Sequence, residues 1–396
     1  MKIGVDASFL RKPGTGIGVV TEQTLREFSR LPEALRHRFV LYSDGDVDIP
    51  YLPSERFETR VFLPWWRRDD VPRRILWERR LPKEAARDGC DAFLSLSQSA
   101  TVFPKRLGIR HTMVVHDVVP LLFPEYRGRV TNRLHTGLIG RAVPRADRIV
   151  AVSETTKREL ASVLDIPEGR ILVASPDCLS IFRDPVSDGD LHRVMQAYNL
   201  ESGYYIYHGG GLEIRKNTEG LLRAYAELLG KREDVPPLII SGKVHPKDNR
   251  LATDVSGLIR SLGLGDRVKL LGFVPEGDLP ALYRGAVCFA YPSRYEGFGL
   301  PVVEAMAVGT PVLAGRDSGA IPEIVGDAAL LVDIDRPEDI AAGLSRLLDS
   351  ATFRADLVGR GKERVRDFSW RRFAETILNT LIPDREAKDT SDSKRI

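Results

Sequence analysis

Short apolar runs alternate with longer amphipathic stretches from one end of the chain to the other. The runs KIGVDAS (2–8), FVLYS (39–43), DAFLSLS (91–97), HTMVVHD (111–117) and RIVAVS (148–153) are nearly continuous in apolar residues. That pattern suits strands covered on both faces, as in parallel sheets. Between them, VVTEQTLREFSRL (19–31) carries apolar residues at helical spacing. A second series follows with YYIYHGG (204–210), PPLIISG (236–242), RVKLLGF (267–273), VCFAYPS (287–293), TPVLAG (310–315) and ALLVD (329–333). Its helices are expected in NTEGLLRAYAELLGK (217–231), DVSGLIRSLG (254–263), EGDLPALYRGA (276–286) and RPEDIAAGLSRLLDS (336–350). Strand-then-helix alternation predicts doubly wound α/β domains.

Turn formers crowd DCLSIFRDPVSDGDL (177–191), which predicts a linker near residues 183–190. The expected domains are residues 1–183 together with 369–396, and residues 190–368. The polar tail 384–396 is expected to be disordered. At 396 residues the chain is too long for one ordinary core, which agrees with two domains. Its 58 basic and 55 acidic side chains leave a net charge of +3, so nothing in the charge argues for a nucleic-acid partner. Cys90, Cys178 and Cys288 stand far apart and read as free thiols in a reducing compartment. MKIGVDASFL enters a strand without signal-peptide anatomy, and no run approaches the roughly 18 apolar residues of a membrane span. A cytoplasmic protein is expected.

Ligands of open α/β sheets bind beyond the carboxyl ends of the strands, and the candidate chemistry gathers there. SRYEGFGLPVVEAMAVGTP (293–311) follows a strand and places Glu296 and Glu304 around Gly297, Gly299 and Pro301. Glycine lets backbone approach a ligand closely, and proline suits the first turn of a helix whose free N–H groups attract anions. A tight turn with Glu304 complementing the helix dipole is the alternative. In YHGGGLEIRKNTEGLL (207–222), Arg215, Lys216 and Asn217 can meet a phosphate, although neither a Walker motif nor a clean G-x-G-x-x-G is present. A solvated helix start would look the same. KPGTGIGVV (12–20) carries Gly14, Gly16 and Gly18, either a loop over a phosphate or a packing turn. His116 and Asp117 end an apolar strand, where the histidine is a candidate for function or a buried core residue. Asp44, Asp46, Asp48 and Glu55 resemble a calcium loop or a metal-holding aspartate pair, but Ile49 stands where such a calcium loop needs glycine. A polar turn is the better reading.

Together these motifs resemble the retaining glycosyltransferases of family 4. The likeness runs from GVDASFL and GTGIG to FSWRRFAETIL, and is most specific in PSRYEGFGLPVVEAMAVGTPVLAG with GAIPEIVGDAALLV. It implies an α/β fold of the GT-B type: two facing Rossmann-like domains with parallel sheets and a C-terminal crossover helix, here FSWRRFAETILNTLI (368–382). It implies that Glu304 holds the ribose of a nucleotide-sugar donor and that Glu296 faces the transferred sugar. Phe298, Gly299 and Leu300 would offer backbone N–H groups, and Lys216 with Arg215 would grip the diphosphate. Gly16 would lie in a loop that closes on the donor, and His116 would stand by the donor sugar. Gly272, Phe273 and Val274, with Gly242 and Lys243, would line the base pocket. Many members carry an arginine six residues before the phosphate lysine; this chain has Gly210.

The resemblance further implies metal-independent transfer with retention, by front-face attack, with a covalent intermediate on Glu296 as the minority view. No cofactor beyond the nucleotide-sugar co-substrate is expected. HDVVPLLFPE and LEIRKN are most like bacterial members that use GDP-mannose, with UDP- and dTDP-sugars as alternatives. The acceptor would be a glycan, lipid-linked or small-molecule hydroxyl. Residues 62–82, with Trp65, Trp66, Arg67, Arg68, Arg73 and Arg74, are a candidate peripheral membrane contact on the inner face of the cell membrane. The rival readings are a sugar phosphorylase or epimerase of the same fold, and a non-catalytic nucleotide-binding subunit.

Overall fold

The computed structural model describes residues 1–62, 70–128, 130–243 and 250–382. The chain separates into two compact units. One comprises Met1–Val152, Lys157–Ser175 and the chain from Trp370 onward; the other comprises Ser153–Thr156 and Pro176–Ser369. Each is Rossmann-like and built on a parallel sheet, as the alternation of elements predicts.

The first unit holds β1 (Lys2–Asp6), β2 (Arg38–Ser43), β3 (Phe57–Val61), β4 (Ala92–Ser95), β5 (Arg110–Val115), β6 (Arg148–Ala151) and β7 (Ile171–Val173). Their order is β3-β2-β1-β4-β5-β6-β7, and Val5 stands opposite Leu41 on one side and Leu94 on the other. The five strands expected from the sequence are the interior ones. The two unexpected strands are the edges, and neither has a long apolar run: FETRV buries only Phe57, stacked 4.8 Å from Phe39, and ILV is apolar but three residues long. The helix Val71–Arg87 lays Trp77, Leu81 and Ala85 against Val40, Tyr42 and Phe93. The helix Trp370–Leu381 also belongs here. Its buried Phe373, Ile377 and Leu381 recur every fourth residue, and Thr380 Oγ1 donates to Thr112 Oγ1 at 3.0 Å.

The second unit holds β8 (Ile206–His208), β9 (Leu238–Ser241), β10 (Val268–Gly272), β11 (Cys288–Tyr291), β12 (Val312–Gly315) and β13 (Ala329–Val332), in the order β10-β9-β8-β11-β12-β13. All six were expected. The helices Thr218–Lys231 and Pro337–Asp349 pack Leu221, Leu228, Ile340 and Leu344 into one core with Ile206, Leu238 and Ile240. Residues 176–183, expected with the first domain, pack in this unit instead. Arg183 ties them down, donating to Asp177 Oδ1 and to the Val365 carbonyl, both at 2.7 Å. The expected linker also contains a helix start, Asp188–Ala197, capped by Ser187. Cys90, Cys178 and Cys288 are buried and form no disulfide among the described residues.

Candidate functional site

Strand order reverses at β1/β4 in one sheet and at β8/β11 in the other, and such a reversal opens a crevice at the carboxyl ends. In the second unit the loops after β8 and β11 fill it. The first loop turns through Gly210 and Gly211, at φ +87° and +104°, and brings Arg215 and Lys216 round in one 3-10 turn, Ile214–Lys216. Asn217 follows in the left-handed region and caps the helix Thr218–Lys231 by accepting from Gly220 N–H. The second loop carries Ser293 and Glu296 into the helix Leu300–Val308. Arg294 N–H donates to the Arg215 carbonyl at 2.6 Å, which fixes one loop against the other.

Glu296 is where they meet. Its Oε1 accepts from Lys216 Nζ at 2.7 Å, Tyr291 OH at 2.8 Å and Ser293 Oγ at 2.7 Å; its Oε2 pairs with Arg215 Nη1 at 2.8 Å. Burial pushes the carboxyl pKa up, but Lys216 and Arg215 outweigh it and hold the group down at about 2. Lys216 is 4% exposed, and burial lowers its pKa against the pull of Glu296. The Glu296 carbonyl accepts from Ala320 N–H at 2.8 Å, beside Gly319 at φ +61°. A Cβ on Gly319 would stand 2.5 Å from that oxygen, so glycine is required.

Glu304, half-buried in the helix Leu300–Val308, behaves in the opposite way. Burial drives its pKa up to about 7, against the Tyr283 hydroxyl that donates to Oε2 at 3.0 Å. The helix start has no side-chain cap, its N-cap is Gly299 at φ +104°, and Pro301 occupies its first turn. Phe298 turns its ring into the unit, edge-on to Phe368 at 5.4 Å, which leaves its backbone and that of Leu300 beside the helix start. Gly210, at the family's arginine position, has no room for a side chain: a Cβ would lie 3.0 Å from Pro301 Cγ and 3.2 Å from Tyr291 Cε2. Gly242 N–H donates to the Gly272 carbonyl at 2.8 Å, so the expected base-pocket segments adjoin; Lys243 follows the first of them. Val274 is buried, whereas Phe273 is 79% exposed.

In the first unit, Gly16 opens the helix Gly16–Phe28, capped by Thr15 Oγ1 accepting from Gly18 N–H at 3.2 Å. His116 Nε2 bonds the Leu96 carbonyl at 2.8 Å, which assigns the proton to Nε2, and burial lowers its pKa, so the ring is neutral. Asp117 Oδ1 accepts from Val119 N–H, a local capping role. Asp44, one of the candidate cation ligands, is engaged by Arg73 at 2.7 Å and Arg11 at 3.0 Å. Arg73, expected on a membrane-facing surface, is instead 6% exposed because it turns inward to Asp44. Trp65, Trp66, Arg67 and Arg68 lie outside the described residues. No helix among the described residues is long and apolar enough to cross a membrane.

Sequence reasoning passed over Tyr283, Tyr291 and Ser293, which hold the two glutamates. Tyr291 and Ser293 stand at the end of β11, and that position was the available signal. Tyr283 sits in an apolar helical pattern that gives none. His208 was also passed over; buried between the Ala290 carbonyl and Thr218 Oγ1, it ties β8 to β11 and to the next helix.

Two family models match the chain, Glycosyltransferase Family 4 over residues 15–176 and Glycosyl transferases group 1 over residues 194–364. The chain is 32% identical over 308 residues to O-antigen chain mannosyltransferase B of Escherichia coli, covering 78% of this chain and 77% of that protein. It is 29% identical over 275 residues to the serotype-specific mannosyltransferase WbdA of Escherichia coli, covering 67% of this chain but 32% of that longer protein. Among solved structures it resembles Anabaena Alr3699/HepE in complex with UDP and glucose. The TM-score is 0.72 at 19% identity, over 96% of this chain and 98% of that one, a likeness of fold.

Proposed function

We propose, because this chain belongs to the family 4 glycosyltransferases of GT-B fold, that it moves a mannosyl group from GDP-mannose to a hydroxyl of a glycan, lipid-linked or small-molecule acceptor. Transfer proceeds with retention and without a metal ion. The observation that carries this reading is the gathering of Lys216, Arg215 and Glu296 at the β8/β11 crevice beside an uncapped helix start. Two cations and free N–H groups are what a departing diphosphate needs as its charge develops. Glu304 accepts from ribose hydroxyls, and the neutral His116 keeps an acceptor lone pair on Nδ1 for a sugar hydroxyl. Both oxygens of Glu296 are already engaged by cations and hydroxyls, which favours orienting the sugar over covalent attack. Mannose is supported by the name of the Escherichia coli relative that matches most of this chain.

The test is the melting temperature in GDP, UDP, dTDP and ADP, with Glu304→Ala as control, followed by transfer from GDP-mannose in a chelator and the anomeric configuration of the product. A rise with GDP alone, lost in the variant, supports the reading. A rise with UDP or dTDP keeps the enzyme class and removes mannose; the UDP and glucose bound by the Anabaena protein make UDP-glucose the second donor to try. Turnover with phosphate or UDP-sugar alone would favour a phosphorylase or epimerase. No rise with any nucleotide would leave a chain without a working donor site.

A further inference from the structure

One short stretch of chain changes units and returns. Ser153–Thr156 packs in the second unit, although Val152 before it and Lys157 after it belong to the first. It carries the start of the helix Glu154–Leu164, and Glu323 of the second unit secures it. The Glu323 carboxylate accepts from Glu154 N–H, Thr155 N–H and Thr155 Oγ1, each at 2.8 Å. Glu323 sits in the short helix Ile321–Val325, whose preceding residue, Ala320, holds the Glu296 carbonyl.

So anchored, the stretch turns two hydroxyls onto the loop after β11. Ser153 Oγ accepts from Thr156 N–H at 3.0 Å and gives its proton to the Gly297 carbonyl at 2.8 Å. Thr156 Oγ1 donates to the same carbonyl at 3.1 Å. Both side chains are buried, and together they take both lone pairs of that oxygen. Two successive carbonyls of the loop, those of Glu296 and Gly297, are thus fixed from outside it.

Fixing a carbonyl also fixes the amide behind it. The peptide bond between Gly297 and Phe298 is trans and planar, so its N–H points opposite to its C=O. With the oxygen held by Ser153 and Thr156, the Phe298 N–H is turned away from them. Among the described residues it meets no acceptor, so the protein does not consume it. A loop that only closed the core would be expected to bind this N–H as firmly as it binds the oxygen.

We propose that Ser153 and Thr156 are positioning residues of the donor site: by holding the Gly297 carbonyl they aim the Phe298 N–H at an oxygen of the donor diphosphate. They act through Gly297, not by touching the donor. The proposal rests on the nucleotide-sugar reading of this site.

The test uses the full chain, isotopically labelled at phenylalanine nitrogen, and whichever of GDP, UDP, dTDP and ADP binds it most tightly. The Phe298 amide signal is assigned with Phe298→Leu, and nucleotide should move it along a saturable curve. Thr156→Val keeps the shape but removes the hydroxyl. It should weaken nucleotide affinity about fivefold, the worth of one neutral hydrogen bond, and shrink the Phe298 shift at saturation. Thr156→Ser, which keeps the hydroxyl, should restore both. Ser153→Ala should act as Thr156→Val does, and replaces it should that variant misfold. A merely structural role would lower the melting temperature of the variants and leave affinity and the bound-state shift as in the wild type; that result would overturn the proposal. A Phe298 amide that bound nucleotide does not move would overturn it too. If no nucleotide binds the wild type, the donor reading falls together with this one; if nucleotide binds and the folded variants respond unchanged, this one falls alone.

Discussion

Lys216 Nζ lies 2.7 Å from Glu296 Oε1, so the residue expected to grip the leaving phosphate and the residue expected to face the sugar are bound to each other. The carboxylate occupies the cations that an incoming diphosphate would use.

Glu296→Gln should therefore lower the melting temperature of the free protein and enlarge the rise that GDP produces. It leaves Lys216 and Arg215 without their buried counter-charge, a change that costs about 3–5 kcal/mol when a buried pair is broken, and the diphosphate restores one. Transfer should nevertheless fall. The pH dependence follows from a folded pKa of about 2 against about 4.3 unfolded: the stabilisation is complete above the unfolded value and is lost as pH falls through the folded one. Thermal melts from pH 6 to pH 2 should show wild type and variant converging in acid. Parallel curves would mean that the pair contributes no net stability.

Glu304, with a pKa of about 7, is largely protonated at pH 6 and largely ionised at pH 8. Ribose hydroxyls bind the ionised form better, so GDP-mannose affinity should rise about tenfold over that interval, one proton being released near neutrality. The sugar diphosphate itself does not titrate there. Calorimetry at several pH values checks the slope, and Glu304→Gln should abolish it; a slope that survives the variant would assign it elsewhere.

Gly319→Ala combines strain at φ +61° with a Cβ forced to 2.5 Å from the Glu296 carbonyl, and should cost more than about 1–3 kcal/mol. Gly263→Ala is the control, since its φ is +67° but nothing lies within 4 Å of the added carbon. Denaturant melts of the two should differ, and only Gly319→Ala should also impair transfer. Equal destabilisation would show that backbone conformation alone sets the cost.

Phe273 is 79% exposed, so Phe273→Ala should leave stability within about 0.5 kcal/mol. If its ring stacks on the nucleotide base, affinity should drop by about 1–3 kcal/mol. Titration with GDP distinguishes this from recognition of the base through backbone alone, in which case the affinity stays put.

Much of this architecture was legible because parallel strands buried on both faces write themselves as unbroken apolar runs. VCFAYPS and HTMVVHD could be placed for that reason, and their carboxyl ends located the motifs. FETRV escaped because an edge strand needs only one apolar contact, Phe57. The helix Ala351–Arg364 escaped for a related cause: Gly359 and Gly361 argue locally against a helix, yet Gly361 lies against Met306, where a Cβ would come within 3.3 Å. At the site, Glu296 and Lys216 were visible as residue types after strands, but their mutual engagement was not. It depends on Tyr291, Ser293 and Gly319 meeting across loops far apart in sequence. Arg73 was misplaced because an arginine next to tryptophans looks the same whether it turns outward or toward Asp44.

The helix Trp370–Leu381 fills the first unit with Phe373, Ile377 and Leu381 although it is the last helix among the described residues. Synthesis of the roughly 200 residues Pro176–Ser369 takes on the order of 10–40 s, and the first unit cannot complete its core before that interval ends. The first unit therefore waits through the synthesis of the whole second unit for one wall of its core. A chain halted before residue 370 would hold a first unit with its core open where Phe373, Ile377 and Leu381 belong.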